Sequence, residues 1–211
     1  MKADPIERLT IGALVLVAAA FCIWAACVSR AHAGEVTFAY DNYAWGAPQV
    51  TGVPIGKSVF SMEFTAPVGK FDAGAEVEAV QTGKAGLSSD RITAHVGHPF
   101  TLGRLTLEPS LLAGYARGLN DVYGLAGASF SARYAIAPWL TLQARVRGWH
   151  SFAENLAPLN SAQLPHDPRH LIQIHAGPEF TFGKVAVGVQ GGEDFGSLPG
   201  PHVGTYLRLG F

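Results

Sequence analysis

His202-Val203-Gly204-Thr205-Tyr206-Leu207-Arg208-Leu209-Gly210-Phe211 is the last stretch of the 211-residue chain. Side chains along a β-strand alternate between two faces. Val203, Thr205, Leu207, Leu209 and Phe211 therefore share an apolar face, and His202, Gly204, Tyr206, Arg208 and Gly210 share a polar, glycine-spaced one. Ten residues is also about what a tilted strand needs to cross a bilayer.

The same pattern runs back through the chain. Strands are predicted at about 35–43, 59–66, 71–79, 91–100, 105–115, 122–136, 140–147, 170–182, 185–190 and 202–211. Val36, Phe38 and Tyr40 open the series, and Leu140, Leu142, Ala144 and Val146 alternate with Thr141, Gln143, Arg145 and Arg147 later in it. Short turns at 67–70, 102–104, 137–138 and 183–184 alternate with longer connections at 46–57, 83–90, 118–121, 150–168 and 191–201. The expected fold is all-β: a single closed antiparallel transmembrane β-barrel of ten strands. Eight is the alternative if 35–43 or 185–190 forms no strand.

Composition narrows the class. A net charge of −1 argues against nucleic acid as a partner. Beyond residue 28 no apolar run approaches the roughly 20 residues of a membrane helix, so a closed barrel is the structure by which the rest could span a membrane. Residues 1–33 read as a signal peptide ahead of a barrel domain at 34–211. Lys2 and Arg8 precede the apolar run 9–28, and Ala31-His32-Ala33 supplies a small-x-small cleavage pattern. An uncleaved anchor is the alternative, since the run is long. Cys27 follows Ala25-Ala26, but Trp24 stands where a lipoprotein site wants a small aliphatic residue. Both cysteines, Cys22 and Cys27, fall within this segment, so a processed chain would hold no disulfide.

A run of amphipathic strands ending on a C-terminal Phe resembles the small outer-membrane β-barrels of Gram-negative bacteria, the OmpA-type and narrow porin-like proteins. The resemblance implies an outer-membrane location among lipid, a monomer, and Phe211 as the assembly signal read by the barrel assembly machinery. Two further features agree with it. Lys57, Lys70, Lys84 and Lys184 all fall in predicted turns or loops. Phe64, Phe71, Phe100, Tyr134, Phe180, Phe182 and Phe211 gather near the short turns, with Tyr40 and Tyr115 at the other ends, as interfacial aromatic belts require. The competing reading makes these aromatics the core of a soluble periplasmic lipocalin-like binding barrel.

Function is expected on the inward face. It carries Glu63, Asp72, Glu76, Glu78, Glu108 and Glu179 against Arg133, Arg145, Arg147 and Arg208, with His95 and His175. Buried charge must be paired or wetted. These groups therefore either fill the lumen with salt bridges, giving a structural or surface protein, or line a narrow passive channel for small polar solutes. Some small outer-membrane barrels are enzymes acting on lipid or peptide at the outer rim. The residues offered here, His150, Ser151, Glu154, His166 and Asp167, do not fit that pattern, because adjacent side chains on a strand point to opposite faces. No enzyme activity or cofactor is expected. His95, His175 and His202 fall on separate strands without an i, i+2 pair, so no metal site is expected either.

Overall fold

Glycine decides where the chain reverses. In the computed structural model, which describes residues 34–43, 57–82, 87–117, 122–152, 170–195 and 200–211, three hairpins turn on Gly69-Lys70, Gly103-Arg104 and Gly183-Lys184. Each glycine has φ between 64° and 67°, and no other residue type among the described residues has a positive φ. Glycine in that conformation at the first central position makes a type II′ turn, whose twist matches the strands it joins. A fourth turn uses Pro138-Trp139 between Ala137 and Leu140, and the ladder shifts register between Ala135 and Ala137. Proline's fixed negative φ bars the II′ geometry there.

The strands so connected are β1 (Glu35–Tyr43), β2 (Lys57–Val68), β3 (Phe71–Thr82), β4 (Leu87–Gly97), β5 (Phe100–Leu102), β6 (Leu105–Arg117), β7 (Val122–Ala137), β8 (Leu140–Phe152), β9 (His170–Phe182), β10 (Val185–Phe195) and β11 (Gly200–Gly210). β4 and β5 are one barrel strand interrupted at His98-Pro99, where proline has no N–H to give. His98 N donates to Pro109 O at 3.1 Å across the gap, and Phe100 pairs with Leu107 in the register that Gly97 and Ser110 left. Ten antiparallel barrel strands result, each bonded to its neighbours in sequence. β1 pairs β11 from Glu35 and Gly210 to Asn42 and Val203, so the first and last strands close the barrel. Beyond that pairing Gly34 N donates to Phe211 O at 3.3 Å and Phe211 N to Gly34 O at 3.0 Å.

Ten strands is the expected count. Several strands are longer than predicted: β8 continues to Phe152, β10 to Phe195, and Lys57 opens β2 instead of ending a loop. The segment 1–33, the connections at 44–56, 83–86, 118–121, 153–169 and 196–199, and Lys84 with them, lie outside the described residues.

Burial runs opposite to that of a soluble barrel. Leu111, Phe130, Leu142, Val189 and Leu207 face outward and are exposed, while Glu63, Glu76, Glu78, Glu179 and Arg147 are buried inside. Exposed aromatics collect at both rims: Phe71, Phe100, Tyr134, Trp139 and Phe182 beside the turns, Tyr40, Phe60, Tyr115, Phe152 and Phe195 at the far end. Trp139 stacks on Phe180 at 6.3 Å, and Phe211 on Phe64 at 6.0 Å, which leaves Phe64 buried on the outer face. An apolar exterior between two aromatic girdles is what a bilayer selects. The chain is a transmembrane barrel of the outer-membrane type, with the tight turns and residues 34 and 211 at the same rim.

Candidate functional site

All twelve charged or imidazole side chains predicted for the interior line one cavity of about 340 Å³. Strand parity places them there. In β2 and β3 the inward positions are Ser61, Glu63, Thr65 and Asp72, Gly74, Glu76, Glu78; in β8 they are Thr141, Gln143, Arg145, Arg147 and Trp149. β2 and β8 stand opposite one another in the ring of ten. Acids and arginines therefore face each other across the lumen and have the reach to meet.

They do meet. Arg145 donates twice to Glu63, at 3.0 Å from each nitrogen, in the fork geometry that suits guanidinium and carboxylate. Arg147, 6% exposed, donates to Glu76 Oε2 at 2.6 Å and stands 3.6 Å from Glu78 and 3.8 Å from Glu63. His95 lies 3.7 Å from Glu63. Toward the turns, Glu179, 1% exposed, receives Arg133 at 2.8 Å, Arg208 at 2.5 Å and the Tyr206 hydroxyl at 3.0 Å. Arg208 also donates to Glu35 at 2.7 Å. Tyr206 reaches over Gly188, where any Cβ would strike its ring. Ser110 donates to Glu108 at 3.3 Å, and Asp72 lines the cavity in β3 near its turn.

The outer half of the lumen is closed differently. Leu112, Ala116, Leu125 and Trp149 form an apolar wall with Leu171 against it. The Arg91 guanidinium lies 4.2 Å over the Trp149 ring, is paired with Glu78, and donates to Gln173 at 3.4 Å. Strand parity also places Arg91, Gln173, Glu35, Tyr206 and Trp149 inside, although none is among the twelve.

Being on separate strands does not keep the histidines apart: His202 Nε2 in β11 lies 3.2 Å from His175 Nδ1 in β9. The strand between them presents Gly192, which pairs with both. A Cβ there would meet Ile174 O and the His202 ring, so the bare glycine lets the two imidazoles close over β10. Gly204 does the same for Asp41, whose carboxylate occupies the space its side chain would take. Asp41, His175 and His202 offer three ligand atoms within 4.8 Å of one another. Gln190 donates to Asp41 at 2.8 Å, and His202 Nδ1 stands 3.9 Å from the fully buried Asp194, which accepts from Gln173 at 3.2 Å. Asp194 falls in a stretch predicted as loop, now part of β10. His95 stays apart from this group, beside Glu63.

His150 and Ser151 point to opposite faces as expected. His150 packs edge-on to outward Phe152 at 4.7 Å, while Ser151 is buried. Glu154, His166 and Asp167 lie outside the described residues.

No protein-family profile and no curated protein matches this chain. Solved structures do. An outer-membrane channel from Pseudomonas putida F1 superposes with a TM-score of 0.52 at 11% identity, over 85% of this chain and 95% of that one. LpxR from Salmonella typhimurium gives 0.46 at 6% identity, over 84% and 99%. A loop-deletion mutant of OmpT, an outer membrane protein of Vibrio cholerae, gives 0.41 at 13% identity over 84% of this chain and 62% of that one. The chain thus spans less than two thirds of that protein's length. At such identities the first is a likeness of fold alone, and the other two, below 0.5, add nothing to it.

Proposed function

We propose that this outer-membrane protein is a non-enzymatic monomeric barrel whose lumen is closed by its own charges, serving as a structural or surface protein. The supporting observation is the two-point Arg145–Glu63 pair, made between opposite strands and therefore across the full width of the lumen. Arg147 with Glu76 and Arg91 over Trp149 add further bridges toward the outer side. Side chains fill the interior of a barrel of about eight strands, and ten adds little width for bridging side chains to cross. Assembly through Phe211 belongs to the same reading; its ring lies over Gly34, in the space a Cβ there would take.

A narrow channel for small polar solutes is the second reading, favoured by the cavity of about 340 Å³ that extends from Glu35 past the ion pairs to Tyr43. Planar-bilayer recording on the protein purified from membranes decides between them. The closed barrel is expected to be silent, and the double variant Glu63→Ala/Arg145→Ala to produce discrete steps that scale with salt. Salt-scaled steps from the wild-type protein would overturn the closed reading in favour of the channel.

A further inference from the structure

We propose that Asp41, His175 and His202 form a site for a divalent transition metal ion, with Zn²⁺ the best fit, in the outer half of the lumen at the β1–β11 closure. The donor set is two imidazole nitrogens and one carboxylate oxygen, which suits zinc and its neighbours and leaves a fourth position for water. The separations suit it too. A tetrahedral ion with bonds of about 2.0–2.1 Å sets its ligands about 3.3 Å apart, and the two imidazole nitrogens are 3.2 Å apart. With all three ligand atoms within 4.8 Å, some point lies no more than about 2.8 Å from each, the distance from centre to corner of an equilateral triangle of that side. Small side-chain rotations close the remaining gap.

The surroundings match what metal-bound histidine requires. A ligating imidazole commonly directs its other nitrogen at a carboxylate, which fixes the tautomer. His202 Nδ1 faces Asp194 at 3.9 Å, with Asp194 itself held by Gln173, and Nε2 is the nitrogen that faces His175. A metal ion bound between the two facing nitrogens would displace any proton they share. Asp41 is likewise oriented by Gln190. Gly192 and Gly204 clear the space on both intervening strands. Entry is through the lumen, since Asp41 and His175 both line the cavity. Bound there, the ion would join β1, β9 and β11, tying the first and last strands together.

The test uses the full-length protein in detergent, stripped with chelator and titrated with Zn²⁺ alone. One equivalent per chain is expected, with a rise in unfolding temperature, because an ion bound only by the folded barrel stabilises it. His175→Ala and His202→Ala should each weaken binding at least about 100-fold and abolish the rise. Asp194→Asn should weaken it about 10–100-fold, as loss of an outer partner does. His98→Ala, at the turn end, should bind as wild type. Folding of each variant is checked by its heat-dependent gel mobility; if a histidine variant fails that check, the near-isosteric Asp41→Asn decides. No stoichiometric Zn²⁺ on the wild type, or undiminished binding by the folded variants, would overturn the site.

Discussion

Arg147→Ala is expected to lower the stability of the folded barrel by about 3 kcal/mol or more, the lower end of what breaking a buried ion pair costs. Arg147 is 6% exposed and stands within ion-pair distance of Glu76, Glu78 and Glu63. Arg145 still serves Glu63 and Arg91 still serves Glu78 in the variant, so Glu76 is the carboxylate left without its arginine. Water from the neighbouring cavity can reach it, which holds the effect near that lower end. Urea unfolding in detergent or vesicles measures the loss. Adding Glu76→Gln to the variant should restore part of it, because the penalty is the stranded charge more than the missing pair. A single variant that unfolds at the wild-type midpoint would show the lumen to be wet enough to solvate these acids singly.

Leu111→Arg is expected to cost about 2–4 kcal/mol in lipid vesicles, the range for arginine on the lipid face at the bilayer midplane. Leu111 is 73% exposed and sits at the middle of β6, Leu105–Arg117. In water such a replacement is neutral, since a lone exposed leucine contributes little there. The sign therefore reports the solvent outside the barrel. Val203→Arg is the depth control. Val203 is 64% exposed but near the outer end of β11, where the same charge should cost only about 0–1 kcal/mol. Equal midpoints for the two variants in vesicles would contradict the placement of the apolar belt.

Much of the architecture was legible because alternation is a local signal. β1 runs over the predicted residues, and three reversals fall on glycines that only a II′ turn explains. Inward charges such as Glu63 and Arg145 followed from parity alone, and the cavity lining includes every one predicted. Strand ends were harder. The stretch after Gly191 reads as loop because glycine, acid and proline dominate it, yet Glu193 and Asp194 pair with Pro201 and Gly200. Tertiary pairing there overrides local propensity. The histidine pair was illegible for a different reason. His175 and His202 are 27 residues apart and meet only because the register sets Gly192 between them. Spacing rules drawn from helices and hairpins cannot see a contact made across an intervening strand; a glycine beside two polar inward positions is the sign to look for once register is known.

The hydrogen bonds between Gly34 and Phe211 bring the two ends of the barrel segment together as closely as any two residues of a ladder. The finished ring thus keeps no memory of which strand was made first. Joining residue 211 to residue 34 through a short linker, and cutting the chain instead between Phe152 and His170, would give a circular permutant with every strand pairing intact. What changes is that the aromatic end residue moves into the interior of the chain. Permutation would therefore measure the stability of the closed ring separately from the proposed role of Phe211 in assembly.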